Sequence, residues 1–241
     1  MNYVIDIDVV SQLVEDEDRA TDERLLAVAE RLFAANGIDA VSVRSITIEA
    51  EANIASVHYH FGTKVDLVRA LVERRVNEVN TDRLLRLRTL DRQSSISAHD
   101  IATVWIEPLA RLAMDPARRA YLGFIVALHN AGPAMQAIAN DVFRPHFPRL
   151  DSALERALPA VDPPLRRFRF ALAVQMSMRA LADLPHVGAP WRSERRPIDD
   201  RSLVDAIVDA FTGLLEGGSY SGQMERSTPA AATRRRRAAA D

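Results

Sequence analysis

The stretch Ser42–Lys64, SVRSITIEAEANIASVHYHFGTK, constrains this chain more than any other, because its spacing allows little except two short helices, a tight turn and the start of a third helix. Val43, Ile46 and Ala50 give the first helix one apolar face, and Ser42 offers a side-chain oxygen to its free N–H groups. Glu51 and Ala52 carry the turn. Asn53 is a second N-cap, after which Ile54, Val57 and Phe61 recur at helical spacing. Small and hydrogen-bonding residues lead that second helix, which suits one lying in a major groove with its first side chains close to base edges. Gly62 ends it. The spacing therefore predicts a helix-turn-helix and points to double-stranded DNA, with Arg44, Asn53, Ala55, Ser56, His58, Tyr59, His60 and Lys64 as contact candidates.

Arg44, Tyr59, His60 and Lys64 each have a plainer reading, for Lys64 that of a solvated surface lysine. Arg44 is a phosphate contact or a surface ion pair. Tyr59 is a hydroxyl donor to the DNA backbone and His60 a phosphate or helix-packing residue, against simple packing at the rim. Lys64, the chain's only lysine, follows the Thr63 cap at a helix start, where N–H groups and the helix dipole favour an anion, and so reads as a phosphate clamp. His58 and His60 do not make a metal site. Residues two apart on a helix point in different directions, and no cysteine or carboxylate completes a set.

Composition narrows the classes. Lys plus Arg number 31 against 33 Asp plus Glu, a formal net charge of −2, so any affinity for DNA comes from local placement. The chain has no cysteine, hence no disulfide framework. No apolar run approaches the roughly 18 residues of a membrane span, and the N-terminus lacks a basic region before an apolar core, so a soluble cytoplasmic protein is expected. Neither G-x-x-x-x-G-K-[ST], H-E-x-x-H nor G-x-G-x-x-G occurs, and GGSYSG at 217–222 falls short of a nucleophile elbow, so an enzyme is not expected, nor any cofactor.

Helices are indicated almost throughout. The acidic segment 1–20 reads as a disordered extension, a first helix runs from a Thr21 or Asp22 cap to about Ala35 with Gly37 as its stop, and Lys64 to about Leu90 is one long helix. Ser97 and Asp100 make a capping box for a helix to about Ala113 that Pro108 should kink. Asp115 and Pro116 start another, ended near Ala131 and Gly132. Pro133 opens a segment that Pro145 and Pro148 interrupt, leaving Phe143–Phe147 a bend. A helix from Pro163 to about Asp183 and a last one over Leu203–Leu215 are apolar on wide faces. Residues 186–197 read as a loop and 219–241, with its run Arg234–Arg237, as a disordered tail. The resulting division is 21–66, 67–218 and the two ends.

Over about Thr21–Leu71 the chain resembles the tetracycline-repressor (TetR) family. The resemblance is carried by Glu23, Arg24, Leu25, Leu26, Ala29, Leu32, Phe33 and Gly37, then Ser42, Val43, Arg44 and Ile46, then Val57, Tyr59, His60, Phe61, Gly62, Lys64 and Leu67. It implies an all-α homodimer: a three-helix DNA-binding head, and a larger helical body that binds a small molecule and releases an operator. Two departures stand out. Glu51 occupies a turn position where glycine is usual, and the segment before Thr21 is acidic where many relatives carry a basic arm. The implied pocket, for a small and mostly apolar effector, draws on Trp105, Leu109, Leu112, Tyr121, Phe124, Leu128, Met135, Phe143, Phe147, Phe170 and Met176, with His129, Asn130 and Gln175 to orient the ligand. The helices Leu165–Asp183 and Leu203–Glu216 are expected to form the dimer seam, Phe211 among its outward residues. The competing reading is a ligand-independent helical dimer serving as a protein-interaction module, which the balanced charge of the head keeps open.

Overall fold

The computed structural model describes residues 7–116, 118–187 and 198–217. The expectations for the tail, including Arg234–Arg237, and for most of the 186–197 loop lie outside them. Ten α-helices are found there: α1 (Ile7–Asn36), α2 (Val43–Glu49), α3 (Ile54–His60), α4 (Lys64–Leu90), α5 (Ala98–Met114), α6 (Ala120–Asn130), α7 (Pro133–Phe143), α8 (Phe147–Ala157), α9 (Pro163–Ala182) and α10 (Asp200–Glu216). A 3-10 turn, Arg144–His146, joins α7 to α8 and is the bend that Pro145 and Pro148 foretell. No helix is long and apolar enough to cross a membrane among the described residues.

Two starts differ from the sequence reading. No breaker interrupts Ile7–Asn36, and acidic side chains suit the N-terminal part of a helix, so α1 continues upstream through most of the acidic segment. Thr21 does not cap it; its hydroxyl donates to the Glu17 carbonyl (3.0 Å), a back-bond within the helix. Likewise α6 begins at Ala120 and not at Pro116. The Asp115 carbonyl accepts from the N–H groups of Arg118 and Arg119 (both 3.0 Å), and the Arg119 Nε donates to the Ala113 carbonyl (2.7 Å), so the described residues between Asp115 and Ala120 are in a turn. Pro108 lies inside α5 without ending it.

In the head, α1, α2 and α3 close over Leu25, Phe33, Ile46 and Val57, all fully buried. The body packs α5 against α10 and α9, and α6 against α9. The head does not hang free. Helix α1 lies along α6, where Phe33 stacks on Phe124 with ring centroids 6.0 Å apart. A Cβ placed on Gly123 would stand 3.0 Å from that of Ala34, so α6 approaches α1 closely because it has a glycine there. Helix α4 leaves the head, then packs on α5, α7 and α8.

The wide apolar face of α10 is covered within the chain: Val204, Ile207, Val208, Phe211 and Leu215 are buried, leaving Ala206, Ala210 and Gly213 outward. Phe211 is fully buried against Phe170 (5.7 Å between centroids), a core residue where an outward one was expected. Helix α9 does carry an uncovered apolar stripe, with Leu165, Phe168, Leu172 and Met176 exposed.

Candidate DNA-binding surface and effector cavity

The recognition unit is held by side-chain caps. Ser42 Oγ accepts from the Ser45 N–H (3.0 Å) while Ser45 Oγ accepts from the Ser42 N–H (3.1 Å), satisfying two free donors of α2. Asn53 Oδ1 accepts from the Ala55 N–H (2.9 Å) and starts α3. His58 Nδ1 lies 2.9 Å from the Gly62 carbonyl and closes its other end. Thr63 and Asp66 form the capping box of α4. The Thr63 hydroxyl and N–H both donate to the Asp66 carboxylate, which holds its pKa below the usual aspartate value. Between α2 and α3, Glu51 has φ +51°, so the turn keeps the left-handed conformation usual for glycine; the departure from glycine suggests a differently shaped turn, and that expectation is not met.

These caps leave one side of α3 to solvent. Ile54, Ala55, His58 and Tyr59 are exposed there, Tyr59 by 77%, and only Val57 of the helix is buried. Ile54 was expected on the apolar side and is outward. Arg44 of α2 is exposed and makes no ion pair among the described residues, whereas Arg31 is paired with Glu49. His60 and Lys64 are turned into the head. His60 Nδ1 stands 2.9 Å from Asp22 of α1, with its side chain 10% exposed. Lys64 donates from Nζ to the Ile38 carbonyl (2.6 Å), tying the start of α4 to the α1–α2 connection, and burial lowers its pKa. Their local geometry is that of packing and tethering groups. Arg44, Asn53, Ala55, His58 and Tyr59 are the exposed candidates, Asn53 with its Oδ1 engaged as the α3 cap, and Ser56 is half-buried beside them.

The body holds a cavity of about 680 Å³ between α4, α5, α6, α7, α8 and α9. Of the expected ligand residues, Trp105, Leu109, Tyr121, His129, Phe147 and Gln175 line it, as do Phe143 and Phe170. Three do not. Phe124 faces α1 and Phe33; Leu128 is fully buried away from the cavity; Met176 belongs to the exposed stripe of α9. A helical residue one or two positions from a lining residue points elsewhere, which apolarity alone does not reveal. Asn140, Asp151 and Arg167 also contribute, the last two as an exposed pair joined by bonds of 2.9 and 2.6 Å.

The cavity wall also includes Arg83 of α4, which was not singled out from the sequence. It is 5% exposed, and its guanidinium lies 3.7 Å from the ring centroid of Trp105. Burial pushes its pKa down to about 10, so it remains charged at neutral pH. A signal was present: Val79, Leu87 and Leu90 are buried on α4, and position 83 falls on the same stripe at four-residue spacing. Among 31 basic side chains, that one at a core position is easily passed over.

The model for bacterial regulatory proteins of the tetR family matches residues 25–71, and that for the tetracyclin repressor-like C-terminal domain matches 103–213. Among solved structures, a TetR-family transcriptional regulator from Streptomyces coelicolor is 21% identical, with 83% of this chain and 95% of that one covered at a TM-score of 0.52. A putative transcriptional regulator from Pseudomonas aeruginosa PAO1 is 18% identical (82% and 90% covered, TM-score 0.54). The fatty acid degradation regulator FadR from Bacillus halodurans is 15% identical (83% and 96% covered, TM-score 0.56). No curated protein matches the sequence. Identities this low carry the fold, and the two family models carry the membership.

Proposed function

This chain belongs to the tetR family of bacterial regulatory proteins and is a DNA-binding transcriptional regulator rather than an enzyme; we propose that it is a homodimeric repressor, released from a palindromic operator when a small, largely apolar effector fills the body cavity. The observation that carries the effector half is the cavity of about 680 Å³, walled by Leu109, Ile125, Leu154, Phe170, Val174 and Met178. The DNA half rests on the capped α3 with its exposed Ala55, His58 and Tyr59. In a dimer, two copies of α3 would enter successive major grooves about one helical turn of DNA apart.

Helix α4 links the halves, since it starts at the end of α3 and later forms part of the cavity wall. An effector that prefers the DNA-incompetent arrangement weakens DNA binding by the same factor, and tenfold requires only about 1.4 kcal/mol of preference. Footprinting the DNA that flanks the gene tests this reading. The expected result is a protected palindrome that Tyr59→Ala weakens. Protection of no site at low salt would favour the protein-interaction module instead.

A further inference from the structure

The effector reading of the cavity is the premise here, and the polar groups at its inner end specify the chemistry of the molecule. Arg83 Nη1 donates to Asn80 Oδ1 at 3.4 Å and Nη2 to the Trp105 carbonyl at 3.3 Å, both long bonds. Three buried atoms beside them, Arg83 Nε, Asn80 Nδ2 and Trp105 Nε1, have no protein acceptor among the described residues. All three are donors. Among the described residues no carboxylate lies within ion-pair distance of Arg83, and the neighbouring Asp82 is engaged by Arg86 and Arg111. A small pouch of about 20 Å³ is lined by Asn80, Arg83 and Trp105, and it shares Arg83, Trp105, Phe143, Phe147 and Leu150 with the main cavity.

We propose that the effector is an amphipathic acid whose carboxylate seats on the Nε–Nη2 edge of Arg83 while its hydrocarbon body occupies the apolar cavity. That edge presents two parallel N–H groups to two carboxylate oxygens, since Nη2 keeps a second hydrogen after the one given to Trp105. Asn80 Nδ2 and Trp105 Nε1 serve the remaining lone pairs. A neutral hydrocarbon would leave a buried cation without a counter-charge and three donors, Arg83 Nε, Asn80 Nδ2 and Trp105 Nε1, without acceptors. The pouch has space for about one water-sized group, which favours a carboxylate over the bulkier phosphate monoester. Arg83 also lies nineteen positions after Lys64 on α4, roughly 28 Å along the helix, so the headgroup acts on the element that carries the head.

The test is calorimetric titration of the full chain with decanoate, methyl decanoate, decanol, decylammonium and decyl phosphate, each also assayed for release of operator DNA. Decanoate should bind at least tenfold more tightly than decanol and methyl decanoate, decylammonium should bind weakest, and Arg83→Met should bring decanoate to the level of decanol. Arg83→Lys should retain part of the preference. Neutral analogues binding the wild type as tightly as decanoate would overturn the acid and leave the apolar effector standing, as would preservation of the decanoate preference in a folded Arg83→Met protein. Tighter binding of decyl phosphate would overturn the carboxylate. Binding of none of the five would count against both the acid and the effector cavity. Should Arg83→Met fail to fold, the headgroup series on the wild type decides alone.

Discussion

At the scale of single residues, the head shows where local chemistry is satisfied and where it is strained. Glu51 holds φ +51°, which costs an ordinary L-residue about 1 kcal/mol that glycine does not bear. Glu51→Gly should therefore raise stability by up to about 1 kcal/mol, seen as a higher Tm. Lys64 is the opposite case. Lys64→Met removes the donor to the Ile38 carbonyl and should cost about 1 kcal/mol, with DNA affinity falling alike for all sequences. A fall in affinity and in its salt dependence with no loss of Tm would instead assign the ammonium to a phosphate. Asp66 supplies a pH dependence. Its folded pKa lies below the ordinary value because Thr63 hydrogen-bonds the ionised form, so the stability it contributes is complete above the unfolded aspartate pKa of about 3.9 and is lost as pH falls through the lower folded value. Thr63→Ala should flatten the acid limb of an unfolding-versus-pH curve.

At the scale of elements, the chain was legible wherever a cap or a glycine marks a boundary. Ser42, Asn53, Thr63 and Ser97 all cap helices at the positions their spacing indicates. The reading failed where a good capping residue is overruled by continuity or by a turn, as at Thr21 and Pro116. The cavity was half legible: aromatic residues announce a body core, but which face of α6 or α9 meets the cavity depends on how the helices cross, and periodicity does not encode that. Gly123 belongs with these tertiary facts. Alanine there gains about 1 kcal/mol of helix propensity, which offsets a contact of 3.0 Å with Ala34 that a slight shift relieves. Gly123→Ala should be near neutral in thermal unfolding. Gly123→Val has no such offset, and the overpacking should cost about 1–3 kcal/mol while altering operator affinity through the displaced α1.

At the scale of the whole molecule, the exposed stripe Leu165, Phe168, Leu172 and Met176 on α9, beside the small outward residues of α10, is the surface expected to join two chains. Phe168, 60% exposed, has little role within one chain, so Phe168→Glu should give a folded monomer in sedimentation equilibrium. Phe211→Asp should give an unfolded protein, because it places a charge in the core. A wild type that sediments as a monomer would sink the dimer.

Helix α1 has a consequence for anyone wishing to re-wire this regulator as a sensor. It contributes Leu25 and Phe33 to the head and packs Phe33 and Ala34 against Phe124 and Gly123 of the body, so a single helix belongs to both modules. Grafting this head onto an unrelated body at the α3–α4 boundary would leave one face of α1 against a surface it was never fitted to. A working chimera would have to carry α6 across with it, or rebuild the surface that meets α1, before any change of operator or signal is attempted.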